Sequence, residues 1–269
     1  TLLSRAELLA RRSGLRLELA GVAEVDRAKA RAAGASDQLI VDDFAKLVEK
    51  PEIDIIVELI GGTGVAARVV RSALEAGKPV VTANKALLAT QGTELFKLAE
   101  QKGVALAFEA AVAGAIPIIQ SLCEGLLANQ FSSLLGIVNG TCNYILTEMI
   151  DQGAPFERCL AEAQRLGYAE ADPTFDIDGI DSGHKLALLS ALAMESWVDF
   201  STLHIEGIRN IDLTDIRFAE QLGYTVKLLA VARPEPEAKR IFLSVHPALL
   251  PVGHPLASVK GSLNAIALY

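Results

Sequence analysis

IDIIVELIGGTG, Ile53 to Gly64, decides the fold. Its first eight residues are apolar except at Asp54 and Glu58 and end in a glycine cluster, which reads as a strand. A strand apolar on both faces belongs in the middle of a parallel sheet covered on both sides. Working outward, helical and strand patterns alternate. Upstream, residues 1–13 read as helix, Leu15 to Val22 as strand, Asp26 to Ala33 as helix, Gln38 to Val41 as strand and Phe44 to Glu49 as helix. Downstream, Val65 to Ala76 reads as helix, and Pro79 to Thr82 and Ala105 to Glu109 as further strands. The repeated βα order predicts an α/β, doubly wound sheet of the dinucleotide-binding (Rossmann) type.

Such a sheet opens with a strand and a GxGxxG turn whose following helix holds a pyrophosphate. Neither is found, because the first residues are already helical. The expectation is therefore a doubly wound parallel sheet lacking its first strand, with weakened cofactor affinity. Two further features sit at carboxyl ends of strands, the edge where open α/β sheets bind ligands. Gly61 and Gly62 would let a cofactor approach the backbone, and Thr82-Ala83-Asn84-Lys85 offers Ala83 and Lys85 as contacts. Near the second strand, Ala23-Glu24-Val25-Asp26-Arg27 offers acids for the ribose 2′-hydroxyl of NAD, while Arg27 and Lys29 would suit the 2′-phosphate of NADP. The choice stays open.

After Glu109 the pattern changes. Small residues lead through Pro117 into a helix at Ile118 to Leu127. Ser132 to Val138 reads as strand, Asn139 to Asn143 as a polar turn, and Tyr144 to Asp151 and Phe156 to Leu166 as helices. Thr225 to Arg233 and Arg240 to Pro247 read as antiparallel strands joined through Pro234-Glu235-Pro236-Glu237. Residues 1–111 are thus expected as an incomplete dinucleotide-binding domain and 112–269 as an α+β catalytic and oligomerisation domain.

Composition limits the partners. With 25 basic against 33 acidic residues, net charge −8 and no basic block, neither nucleic acid nor an anionic membrane is expected. Cys123, Cys142 and Cys159 show no CxxC spacing and the four histidines are scattered, so neither a disulfide framework nor a zinc site follows. The chain opens without a charged and apolar leader, and its apolar runs fall short of the roughly 20 residues that span a bilayer. A soluble protein of a reducing compartment is expected.

The chemistry concentrates in GYAEADPTFDIDGIDSGHKLALLSALAM, Gly167 to Met194. Glu170, Asp172, Asp176, Asp178 and Asp181 crowd in just before a helix that is apolar nearly all round, and such a helix is buried. Asp181 stands at its mouth with Lys185 one turn on. An exposed i,i+4 pair of this kind contributes only about 0.2–0.5 kcal/mol. At the mouth of a buried helix it would instead face a carboxylate-lined cleft.

Four stretches together resemble the homoserine dehydrogenase family: TANKALLA at Thr82 to Ala89, FEAAVAGAIPII at Phe108 to Ile119, GIVNGTCNYIL at Gly136 to Leu146, and GYAEADPTFDIDGIDSGHK at Gly167 to Lys185. The resemblance implies reversible NAD- or NADP-dependent reduction of L-aspartate 4-semialdehyde to L-homoserine, in a cytoplasmic homodimer or homotetramer serving threonine, methionine and isoleucine synthesis. It implies Lys185 as the proton-transfer lysine, with Glu170 and Asp181 holding homoserine. Asp176 would join Glu170 in answering the substrate ammonium, and Lys85 or the turn at Thr141 would take its carboxylate. Gly167 is implied as a backbone contact of the cofactor. The carbonyls of Glu109, Val112, Gly114 and Ile116 match a monovalent-cation site of the family, implying a structural sodium ion.

Two competing readings remain. Cys142, in a polar turn after a strand, could be the nucleophile of a phosphorylating semialdehyde dehydrogenase acting through a thioester. Alternatively the chain is a cofactor-deficient substrate-binding or assembly fragment.

Overall fold

The computed structural model describes residues 2–235, 237 and 240–269. Two compact units form. One holds the chain up to Val81 together with Glu94–Ala107, and the other holds Thr82–Thr93 with Phe108–Tyr269. The strand-to-helix turn at residues 82–93 is thus exchanged between the units, so no single cut separates them. The sequence expectation of a boundary near residue 112 did not contain this exchange.

In the first unit the order is α1 (Ala6–Ser13), β1 (Val22–Ala23), α2 (Arg27–Ala32), β2 (Ile40–Val41), α3 (Ala45–Val48), β3 (Ile56–Glu58), α4 (Val65–Glu75), β4 (Val80–Thr82), α5 (Lys85–Lys102) and β5 (Leu106–Ala107). The α5 helix begins among the residues of the second unit. β1 and β2 pair in parallel as a two-stranded sheet, and β3, β4 and β5 form a three-stranded one in which β4 and β5 are parallel. The predicted strand Leu15 to Val22 is corrected: only Val22 and Ala23 join a ladder, the amide of Val22 donating to the carbonyl of Leu39, whereas the amide of Leu15 turns back to Ser13 Oγ.

α4 shows why these residues choose a helix. Ala66, Val69, Val70, Ala73 and Leu74 recur at helical spacing and are buried on one face, while Arg68 stays exposed. Gly77, at φ +73°, ends it by returning its amide to Leu74. β3 departs from expectation. Ile56 and Glu58 are buried, but Val57 is 53% and Leu59 74% exposed. The strand lies at the edge of its sheet, and among the described residues nothing covers that face.

The second unit contains α6 (Ile118–Gln120), β6 (Leu134–Ile137), α7 (Gly140–Gln152), α8 (Phe156–Arg165), α9 (Thr174–Ile177), α10 (Ile180–Ala193), β7 (His204–Ile205), α11 (Leu213–Gln221), β8 (Tyr224–Glu235), β9 (Arg240–Pro251) and β10 (Ala265–Leu268). Its strands form one mixed sheet in the order β10-β6-β8-β9-β7, antiparallel except for the β7–β9 pair. The two expected strands of the second half are present and longer than predicted; Pro236, within their expected connection, lies outside the described residues, as does Thr1.

Two predictions in this unit are corrected. The helix expected at Ile118 to Leu127 keeps α-geometry only to Gln120 and then widens into a π-turn at Ser121–Gly125. The polar turn expected at Asn139 to Asn143 is the N-cap and first turn of α7: Asn139 Oδ1 accepts from the amide of Cys142 at 2.8 Å, which starts the helix there. α10 is buried as foreseen, from Asp181 through Leu186 to Ala193, except at Lys185 and Leu192 within that span. It lies close against β7 because residue 183 is glycine; a Cβ there would stand 2.6 Å from Ile205 Cδ1. No helix among the described residues is long and apolar enough to cross a membrane.

Candidate active site

The site is a hydrogen-bonded hub on Asp181, in the first turn of α10 and 4% exposed. Lys185 Nζ, one turn further along α10, donates to Asp181 Oδ2 at 2.6 Å and to the carbonyl of Val138 at 2.7 Å. Lys85, the first residue of α5, places its ammonium 3.1 Å from Asp181 Oδ1. Asn139 Nδ2 donates to Asp181 Oδ2 at 2.9 Å and to Asp176 Oδ1 at 2.7 Å. Thr141 Oγ1, in the first turn of α7, donates to the carbonyl of Tyr168 at 2.6 Å and lies 3.4 Å from Asp176 Oδ2. Side chains from α10, α5 and the start of α7 thus converge on two carboxylates.

The electrostatics follow from the partners. Burial alone would raise the pKa of Asp181, but Lys185, Lys85 and the Asn139 amide outweigh it and hold the carboxyl below its ordinary value. Asp176 has no ammonium on it, so burial dominates and its pKa is raised despite the Asn139 bond. The hub therefore keeps one firmly ionised carboxylate between two lysines and a second, more easily protonated one beside it. An exposed pair of the same residues would be worth a few tenths of a kcal/mol. Here Lys185 and Asp181 retain only 14% and 5% side-chain exposure, and removing one partner of such a pair costs about 3–5 kcal/mol.

Beside the hub, His184 is packed between the rings of Phe175 and Phe200, at centroid distances of 5.4 and 4.3 Å. Burial lowers its pKa, against the pull of Asp181. Phe175 also lies beneath the Lys85 ammonium, 5.8 Å from its ring centroid.

Of the residues picked out in the sequence, Lys185, Asp181, Asp176, Lys85 and Thr141 are brought together. Glu170 is not tied in: it is exposed, and its carbonyl accepts from Gln164 Nε2 at 3.0 Å. Gly167, at φ +79°, is exposed at the end of α8. In the first unit Gly61 and Gly62 both take left-handed φ, +80° and +69°, and a Cβ on either would meet no atom within 4 Å. Sequence reasoning missed the side chain of Asn139, which it had treated only as part of a turn. The available signal was that an Asn closing a strand and preceding a helix is a strong N-cap.

Cys142 is corrected. It is fully buried in α7, its thiol donates to the carbonyl of Asp176 at 3.2 Å, and burial, then the nearby carboxylates, push its pKa well up. A nucleophilic cysteine needs the opposite, an accessible thiol beside positive charge. No group of three or more His, Cys, Asp or Glu able to hold a metal occurs among the described residues.

Comparison with known proteins agrees with the geometry. The family model described as homoserine dehydrogenase matches residues 117–269, and that described as homoserine dehydrogenase, NAD binding domain, matches 4–109. A curated homoserine dehydrogenase of Neisseria gonorrhoeae is 49% identical over 261 residues, covering 97% of this chain and 59% of its own length. The crystal structure of a homoserine dehydrogenase from Thiobacillus denitrificans superposes with a TM-score of 0.91 at 49% identity, covering 99% of this chain and 61% of that one. A hyperthermophilic archaeal homoserine dehydrogenase solved in complex with NADPH matches with a TM-score of 0.76 at 27% identity, over 98% of this chain and 82% of its own. The chain thus spans about three fifths of the length of the first two.

Proposed function

The chain belongs to the homoserine dehydrogenase family, and from that premise we propose that it interconverts L-homoserine and L-aspartate 4-semialdehyde with NAD or NADP. The observation that carries this is Asp181 held between Lys185 and Lys85, with Asn139 binding the second carboxylate, Asp176. The bound cofactor would take a hydride from, or return it to, C4 of the substrate. Lys185 moves the accompanying proton, removing it from the C4 hydroxyl in oxidation and returning it in reduction. Asp181 orients that amine, as does the Val138 carbonyl. Asp176 and Glu170 answer the substrate ammonium, and Lys85 and Thr141 its carboxylate.

The nicotinamide cofactor fits the residues present. The left-handed Gly61 and Gly62 leave open space beside the backbone just before α4, whose N-cap Gly64 carries no side-chain cap. The N-terminus of an 11-residue helix favours an anionic ligand. Ala83, Lys85 and Gly167, in the second unit, are proposed as cofactor contacts of that unit. For sodium the proposed ligands are the carbonyls of Glu109, Val112, Gly114 and Ile116. Supporting this, Ala113 and Gly114 both turn left-handed, at φ +54° and +57°, which coils the segment tightly. The Glu109 and Ile116 carbonyls each accept one amide, and a carbonyl oxygen keeps a second lone pair for a cation.

A homodimer or homotetramer in the cytoplasm completes the proposal. Its support is the sheet face of Leu135, Val231, Ala248, Ala265 and Ala267, apolar yet only half-buried. The deciding experiment is homoserine oxidation followed by nicotinamide absorbance with NAD⁺ and NADP⁺ separately. Homoserine-dependent reduction of either supports the reading. Homoserine binding without NAD(P)H binding would leave the cofactor-deficient fragment instead.

A further inference from the structure

Outside the hub, Lys227 on β8 is a buried ammonium. It is 2% exposed, and its ammonium donates to Asn143 Oδ1 at 3.0 Å and to the carbonyl of Val259, both neutral acceptors. Burial, then repulsion from Lys260, lowers its pKa to about 8, with Asp151 pulling weakly the other way. A methionine would fill similar space without a buried charge. What the ammonium does that a methionine could not is hold Asn143 and, beside it, the carbonyl of Val259.

Asn143 lies one helical turn from Asn139, and the amide of Asn143 donates to the carbonyl of Asn139 at 3.1 Å. Asn143 Nδ2 also donates to the carbonyls of Val259 and Leu263, each at 3.2 Å. Two more members of the same stripe of α7 hold that loop: Thr147 Oγ1 accepts from the amide of Gly261 at 3.1 Å, and Asp151 pairs with Lys260 at 2.7 Å. The contact is close enough that a Cβ on Gly140 would stand 2.7 Å from the carbonyl oxygen of Ser262. The loop and Lys227 therefore fix the helix whose cap, Asn139, is shared by Asp176 and Asp181.

We propose that Lys227 is a positioning residue for the acid–base hub, acting through Asn143 to hold the first turn of α7 and so the Asn139 amide between Asp176 and Asp181. This rests on the proposed dehydrogenase reading for its kinetic consequence but not for its geometric one. The test is Lys227→Met, Asn143→Leu and the double variant in the whole protein. Each single variant should lower kcat for homoserine oxidation about tenfold, the scale of a small misplacement of reacting groups, with homoserine KM within about twofold. Because both act through one contact, the double variant should be no worse than the poorer single one. Additive losses, or an unchanged kcat in Lys227→Met, would overturn the proposal. In parallel, the Asn139 side-chain amide, assigned in the ¹⁵N–¹H spectrum, should lose exchange protection in Lys227→Met while circular dichroism stays native. Retained protection would equally overturn it. Should the wild type turn over no homoserine, the dehydrogenase reading fails while the amide measurement still decides this one. Should Lys227→Met not fold, Lys227→Leu, which also lacks a donor, carries both measurements with the same two outcomes.

Discussion

The two units break opposite rules. In the first, β3 turns Val57 to the outside and Leu59 just beyond it is exposed too, apolar side chains in a run whose sequence predicts cover on both faces. In the second, Asp181, Asn139 and Lys227 are buried, polar groups that would ordinarily be solvated. The first departure costs no specific bond and only leaves apolar area in water. The second removes charges and amides from water and is tolerable only because each has named partners. Chemistry is therefore to be sought where the polar groups are buried and bridged, and assembly where the apolar ones are not.

The sharpest way to break this contrast is Lys185→Ala. If the buried hub does the chemistry, kcat should fall about 10²-fold or more, the range of general acid–base groups, with NAD(P)H affinity nearly unchanged in a fluorescence titration. Turnover within about threefold of wild type would reduce Lys185 to a structural ion pair. Next comes Glu170→Gln, which asks whether an exposed residue outside the hub shares its function. If Glu170 faces the substrate ammonium as proposed, loss of its charge should raise homoserine KM about tenfold with kcat little changed, and an unaltered KM would exclude that role.

A smaller effect separates the two carboxylates of the hub. Asp181 has a depressed folded pKa, so its contribution to stability is present above the unfolded value of about 3.9 and lost as pH falls through the folded one. Asp176 has a raised folded pKa, so its contribution is complete below the unfolded value and lost as pH rises through the folded one. Asp181→Asn should thus lower Tm most near neutrality, with the gap closing in acid. Asp176→Asn should gain on the wild type, by a few degrees, as pH rises above the unfolded value of about 3.9 and through the raised folded one. Calorimetric scans showing both gaps with the same pH slope would contradict this assignment. The smallest catalytic effect is expected from Leu59→Lys in the first unit: light scattering should show less self-association, since charge on an exposed strand discourages edge pairing, and kcat should stay within about twofold.

Legibility in the sequence also divided between the units. The alternation of strands and helices gave the α/β first unit correctly, because the buried stripe of α4 and the run at β3 follow simple periods. That the face of Val57 is bare was not readable, since exposure depends on what else packs there. In the second unit Asp181 and Lys185 were legible because both lie on one buried helix four residues apart. Asn139 was not, since its partners Asp176 and Asp181 lie 37 and 42 residues away and its amide could have served only as a cap. α11 escaped because its capping box uses Asp212 and Asp215, where Glu is the commoner third residue, over a mixed apolar pattern. β10, Ala265–Leu268, is too short for a period and exists through its pairing with β6.

The Asn139 amide has a consequence for how this protein ages. Asn139 is followed by Gly140, and an Asn-Gly pair is the sequence most open to deamidation, because the glycine amide nitrogen attacks the side-chain carbonyl unhindered and expels ammonia. In the folded molecule that side chain is held by Cys142, Asp176 and Asp181 at once, so it cannot rotate into the attacking geometry. Each excursion that frays the start of α7 releases it. Hydrolysis of the resulting succinimide would leave a third carboxylate, or an isoaspartyl linkage, against two that are already there, and refolding could not restore the donor. The time the chain has spent open would be written irreversibly into this one position, where peptide mass analysis after incubation in mild denaturant could read it.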